Sequence, residues 1–144
     1  MLSKFKDRDE LVIRDNRGRY LLKALFVENI ESLTEDYPGA YTLKEDDNYE
    51  KNVRSARKIY LEQEDVTEYK AAIALLGSWR HWKRLCECSW FQSHLKEWRE
   101  ELEVIVRSKA IRNLQNQSTT DKGAAAARWL AEKGWDRKST QGNQ

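Results

Sequence analysis

Four residues near the middle of the chain, His81, Cys86, Cys88 and His94, are of the types that bind zinc, which requires its ligands to converge tetrahedrally. On a helix, positions i and i+2 point about 200° apart. Cys86 and Cys88 therefore do not chelate one ion readily, and Cys86 reads as a core residue. No metal and no cofactor is expected. Catalytic signatures are missing as well. There is no Gly-x-x-x-x-Gly-Lys-Ser/Thr phosphate loop, no His-Glu-x-x-His and no Gly-x-Ser-x-Gly. Acidic pairs such as Glu100-Glu101 and Asp46-Asp47 sit in highly charged segments, where a solvated surface is the default. The expectation is a protein that is not an enzyme.

The cations offer different chemistry. With Trp79, Trp82 and Cys86 turned inward, a helix over residues 79–87 leaves Arg80, His81, Lys83, Arg84 and Glu87 outside. Three cations on one short helix suit phosphate and base-edge contacts. They suit the solvated face of an ordinary bundle equally well. Lys51, Arg54, Arg57 and Lys58 add positive charge upstream, either as contacts to a nucleic-acid backbone or as a solubilising face.

The elements that position these residues are mainly helical. Pro38 is the only proline, so nothing after it breaks a helix. Val53, Ala56, Ile59 and Tyr60 hold helical spacing up to Glu64. Asp65-Val66-Thr67-Glu68 reads as a capping box, opening a helix with Tyr69, Ala72, Ile73 and Leu76 on one face. Gly77 supplies the stop and Ser78 the next cap. Two short helices joined by this Gly-Ser turn have the pattern of a helix-turn-helix, whose second helix leads into the major groove. Trp79, Trp82, Leu85 and Cys86 form its inward stripe. Ser89-Trp90-Phe91-Gln92 reads as a further cap, starting the longest periodic run: Leu95, Trp98, Leu102, Ile105, Val106, Ala110 and Leu114. That stripe is too long for a small headpiece to cover. It packs on the last helix, residues 124–133, or on copies of itself, with Leu95, Trp98, Leu102, Ile105, Val106 and Leu114 as the oligomerisation residues. The tryptophans at 79, 82, 90 and 98 fall near helical spacing and favour core packing over ligand binding.

Before residue 50 the pattern is β-like and irregular. Residues 11–13 and 20–27 flank the turn cluster Asp15-Asn16-Arg17-Gly18, which reads as a hairpin. The segment Ala40-Tyr41-Thr42-Leu43 is a possible extension after a turn at Tyr37-Pro38-Gly39. The chain thus divides into a β-like segment (1–50), a helix-turn-helix region (51–88), an oligomerisation hairpin of helices (89–137) and a disordered tail (138–144).

At 144 residues, 40% hydrophobic and 35% charged, the chain has a modest core that oligomerisation would extend. Net charge is only +2, but it is sorted along the chain. Residues 31–50 hold seven acids and one lysine, whereas residues 51–112 hold thirteen cations and nine acids. Separate faces for different partners follow from such sorting. No run long enough to span a membrane is present, nor an apolar signal-peptide segment at the start. Two cysteines two positions apart make no disulfide framework, so a reduced cytosolic protein is expected.

Several segments, taken in order, resemble the small terminase subunits of tailed bacteriophages. They are Tyr41-Thr42-Leu43-Lys44, Arg57-Lys58-Ile59-Tyr60-Leu61-Glu62, Asp65-Val66-Thr67-Glu68-Tyr69, Ser78-Trp79-Arg80-His81-Trp82, Leu85-Cys86, Trp90-Phe91 and Trp98-Arg99-Glu100-Glu101-Leu102. The last is Ala126-Ala127-Arg128-Trp129-Leu130-Ala131-Glu132-Lys133-Gly134-Trp135. Together they cover roughly residues 41–138. Val66 stands where many members have proline, and the basic tail that often follows is replaced by Ser139-Thr140-Gln141-Gly142-Asn143-Gln144. The resemblance implies a homo-oligomeric ring that binds double-stranded viral DNA and loads the large ATPase-nuclease subunit during packaging into proheads. It places the protein in the cytoplasm of the infected host and outside the mature virion. Arg80, Lys83 and Arg84 would then contact DNA, and residues 91–114 would line the ring's interfaces. A dimeric helix-turn-helix transcriptional regulator is the alternative.

Overall fold

The computed structural model describes residues 5–30, 38–119 and 123–136. Five α-helices dominate these residues: α1 (Ala56–Glu62), α2 (Tyr69–Leu76), α3 (Trp79–Cys86), α4 (Ser89–Gln117) and α5 (Ala124–Ala131). Two short strands, β1 (Tyr41–Thr42) and β2 (Arg54–Ser55), pair in parallel. The chain divides into two compact units, Met1–Leu102 and Glu103–Gln144. The division falls inside α4, not between residues 88 and 89.

The expected hairpin is reduced to its turn. Asp15 organises it: its carboxylate accepts from the Arg17 and Arg19 backbone amides at 2.9 Å each, and Gly18 takes φ 78°. The backbone needs a positive φ there, which glycine adopts at no steric cost. A single antiparallel bridge, Arg14 to Tyr20, closes the turn. Two 3-10 turns, Lys23–Leu25 and Val27–Asn29, then replace the second strand. The segment around Tyr41 does not extend a hairpin. It bridges Phe26 in parallel and pairs with Arg54 and Ser55. Tyr37, in the expected turn before it, and the expected disordered tail at 138–144 lie outside the described residues.

Ser55 shows why α1 starts at Ala56 instead of at Val53, where the helical spacing begins. Its backbone lies in the β ladder, its amide is held by Asp47 at 2.7 Å, and its hydroxyl accepts from the Lys58 amide. It is the last strand residue and the helix N-cap at once. Gly77 and Ser78 act as expected between α2 and α3. Gly77 has φ 68° and donates to the Ile73 carbonyl, while Ser78 Oγ accepts from the His81 amide at 3.2 Å.

The capping box at 65–68 does not form as expected. Asp65 accepts from the Thr67 and Lys70 amides at 3.0 Å each. Glu68, instead of reaching back to Asp65, takes φ 70° and turns inward. The helix therefore begins only at Tyr69. This rotates the buried face of α2 to Ala71, Ala72, Leu75 and Leu76, leaving Tyr69 and Ile73 exposed. Ser89 is likewise the first residue of α4 and not its cap, because the Phe91 and Gln92 amides bond the Cys88 carbonyl.

The core of the first unit is a cluster of rings. Tyr60 lies 6.0 Å from Trp82 and 5.7 Å from Trp98, and Phe91 meets Trp98 edge-on at 5.2 Å. Phe26 stacks on Phe91 from the other side at 5.7 Å. Edge-to-face and offset pairs of this kind add to the stabilisation from burial alone. Trp82 and Trp98 are thus core residues as their spacing predicts, but Trp79 is 39% exposed.

This core corrects the expected oligomerisation face. Leu95, Trp98 and Leu102 are each 2–3% exposed and are covered by the chain's own first unit. Only Ile105, Val106 and Leu114, beyond the division, are left half-buried. In the second unit α5 ends at Ala131 with Glu132 as its C-cap, short of the expected residue 133, and the Gly134 amide returns to the Trp129 carbonyl. A Cβ at Gly134 would fall 2.1 Å from the indole, so no larger residue fits there.

Candidate nucleic-acid interface

α3 carries the expected basic face. Arg80, Lys83 and Arg84 are exposed, with no acidic partner among the described residues. The opposite side of the helix, Trp82 and Leu85, is 1% exposed. At 100° per residue the three cations occupy one arc of about 100°. Lys83 and Arg84 also lie in the last turn, where the helix dipole favours positive charge. A helix anchored by its buried side thus presents three cations in one direction, none of them ion-paired among the described residues.

His81 does not belong to that face. It is completely buried, with Nε2 donating to the Leu21 carbonyl and the ring stacked 4.3 Å from Tyr20. Its position on the wheel is next to Arg84, at the edge that the N-terminal segment covers. Its Nδ1 is buried without a hydrogen-bond partner among the described residues. Burial pushes its pKa below the ordinary value, and the nearby charges of Arg14 and Arg84 push the same way, against the opposing hydrogen bond to Leu21.

This depressed pKa makes stability depend on pH. Below about pH 6.5 the unfolded chain binds a proton at this position that the folded chain resists. The melting temperature is therefore expected to fall between about pH 7 and about pH 5.5, with a smaller fall in His81→Gln. Equal pH slopes for the two proteins would remove His81 as the cause.

The upstream cations are not a free patch. Arg54 pairs with Glu62 at 3.1 Å, Arg57 pairs with Glu101, and Lys58 lies 3.3 Å from Asp46. The fold brings acids from distant segments against each one, leaving Lys51 as the exposed member of that set without an ion pair among the described residues.

One cluster carries no signature in the sequence. The Glu68 carboxylate, 10% exposed, receives the Tyr60 hydroxyl at 2.7 Å and a bidentate fork from Arg99 at 2.8 and 2.9 Å. It ties the start of α2 to α1 and α4, and so fixes the support on which α3 sits. Residues 8 and 31 positions apart give no periodic signal of such a contact.

Among the described residues, no group of three or more His, Cys, Asp or Glu side chains is arranged to hold a metal ion. Burial pushes the Cys86 thiol up to about 12, away from the thiolate that ligation or nucleophilic attack requires. No helix of the described residues is long and apolar enough to cross a membrane. In the second unit a groove of about 370 Å³ runs along α4, lined by Val104, Arg107, Ser108, Ile111 and Arg112, and Val104 is 65% exposed. Compared with families of known proteins, with curated proteins and with solved structures, the chain shows no significant match.

Proposed function

We propose that this chain is a non-catalytic DNA-binding protein of the terminase small-subunit type, in which α2 and α3 act as a helix-turn-helix. The observation that carries the DNA reading is the arc of Arg80, Lys83 and Arg84, without acidic partners among the described residues, on a helix whose other side is anchored. Cations without an ion pair attract phosphates more strongly than Arg54, Arg57 and Lys58, which are paired with acids within the fold. The ordered segments from Tyr41 to Trp135 supply the step to a terminase small subunit, with duplex viral DNA, the large subunit and further copies of the chain as partners. Self-association would use Val104, Ile105, Val106, Ile111 and Leu114, since the earlier apolar residues of α4 are taken.

The test is a salt titration of duplex binding by fluorescence anisotropy. The triple variant Arg80→Glu, Lys83→Glu, Arg84→Glu is expected to bind far more weakly, and its log K against log [salt] to be shallower by about 3. Binding that is unchanged at low salt would overturn the assignment. Mass in solution separates a closed ring from the dimer that a transcriptional regulator would form.

A further inference from the structure

The N-terminal turn has a position relative to α3 that its sequence does not announce. Tyr20 lies flat on His81 at 4.3 Å, and the neighbouring Leu21 carbonyl accepts from His81 Nε2. Arg14 in turn covers the outer face of Tyr20, 4.1 Å from the ring centre. Arginine, tyrosine and histidine thus form three layers leading from solvent to the buried flank of α3. On the helical wheel His81 is the neighbour of Arg84, and both Arg14 and Arg84 bear electrostatically on its ring. Earlier in the same N-terminal segment, Arg8 lies against Gly77, between α2 and α3.

The turn is also internally rigid. Asp15 receives the Arg17 amide, the Arg19 amide and the Arg19 guanidinium, each at 2.9 Å. This consumes one acid in holding the loop and leaves Arg14, Arg17 and Arg19 around it. The Arg17 side chain is exposed and has no partner among the described residues. Arg19 is 70% exposed despite its bond to Asp15. A preorganised loop carrying three arginines and one aspartate thus stands beside the basic arc of α3, on its Arg84 side.

We propose that residues 14–19 form a second phosphate-contacting element for duplex DNA, held in place beside α3 by the stack of Arg14 and Tyr20 on His81. The inference rests on the reading of α3 as the DNA-contacting helix. A helix lying in the major groove has a phosphate backbone on each side, and a rigid basic loop on one flank of that helix meets one of them. Arg17 and Arg19 are the contacting residues. Arg14 positions the loop.

The experiment compares wild type, the α3 triple variant and the double variant Arg17→Ala, Arg19→Gln, by anisotropy on one duplex across a salt series. Circular dichroism confirms that each is folded. The double variant is expected to lower the salt slope by about 1 for each phosphate that is no longer neutralised, uniformly across duplex sequences. A second variant, Tyr20→Ala, removes the layer between Arg14 and His81 and is expected to reduce the slope while every arginine is retained. If the α3 variant weakens binding and the Arg17/Arg19 variant matches wild type, the loop does not touch DNA and only this inference falls. If wild type itself does not bind duplex DNA, both readings fall. Weaker binding in the Arg17/Arg19 variant while the α3 variant matches wild type would overturn the reading of α3 and, with it, the role of the loop as a second element beside that helix.

Discussion

Replacing Trp98 by alanine is expected to destabilise the folded chain by about 3–5 kcal/mol, the cost of removing a large ring from a packed core. Trp98 is 3% exposed and touches both Tyr60 and Phe91 in the ring cluster. Its removal leaves a cavity among rigid aromatic neighbours that relax poorly, which places the cost toward the upper end. The measurement is urea unfolding followed by circular dichroism, with light scattering on the same samples. A residue that mainly joined copies of the chain would behave oppositely, lowering the mass of the assembly while leaving the stability of each copy nearly unchanged. That outcome would return Trp98 to the oligomerisation face.

Arg99→Met is expected to cost about 2–3 kcal/mol at neutral pH. Removing one partner of a buried ion pair typically costs about 3–5 kcal/mol, because the other charge is left uncompensated. Here Arg99 is 54% exposed while Glu68 is 10% exposed, so water screens part of the effect. Methionine keeps the apolar stem and isolates the guanidinium. In the Glu68→Gln background the same change should cost much less, since no buried charge remains to be stranded. A destabilisation below about 0.5 kcal/mol in the wild-type background would mean that the pair is a surface bridge of ordinary weakness. The consequence reaches the proposed interface. Glu68 sits at the start of α2 with φ 70°, and releasing it loosens the helix on which α3 is braced. Weaker duplex binding in Arg99→Met, at a salt slope close to wild type, would mark disturbed positioning of α3 with every phosphate still neutralised.

Local chemistry alone determined a good part of this molecule. Gly77 and Ser78 separate α2 from α3 because one suits a left-handed backbone and the other offers a hydroxyl to a helix start. The uninterrupted spacing after Ser89, with no proline, yields α4 as one unbroken helix, Ser89–Gln117. The outward direction of Arg80, Lys83 and Arg84 follows from the apolar residues opposite them.

Tertiary structure decided the rest, for one recurring reason. A periodic pattern tells which side of a helix is apolar, but not which part of the chain, or which other chain, covers it. Trp98 is covered from within by Tyr60 and packs edge-on with Phe91, and Leu95 and Leu102 are buried in the same chain. His81 leaves the basic face because a carbonyl 60 residues away accepts a hydrogen bond from its ring and Tyr20 covers that ring. Glu68 abandons a capping box because Arg99, 31 residues further on, provides a stronger partner for its charge. Arg54, Arg57 and Lys58 lose their freedom to acids 8, 44 and 12 positions away. Polar side chains make such pairings only once the apolar core has fixed where distant segments meet, so a sequence that states its helices clearly leaves its charges unassigned.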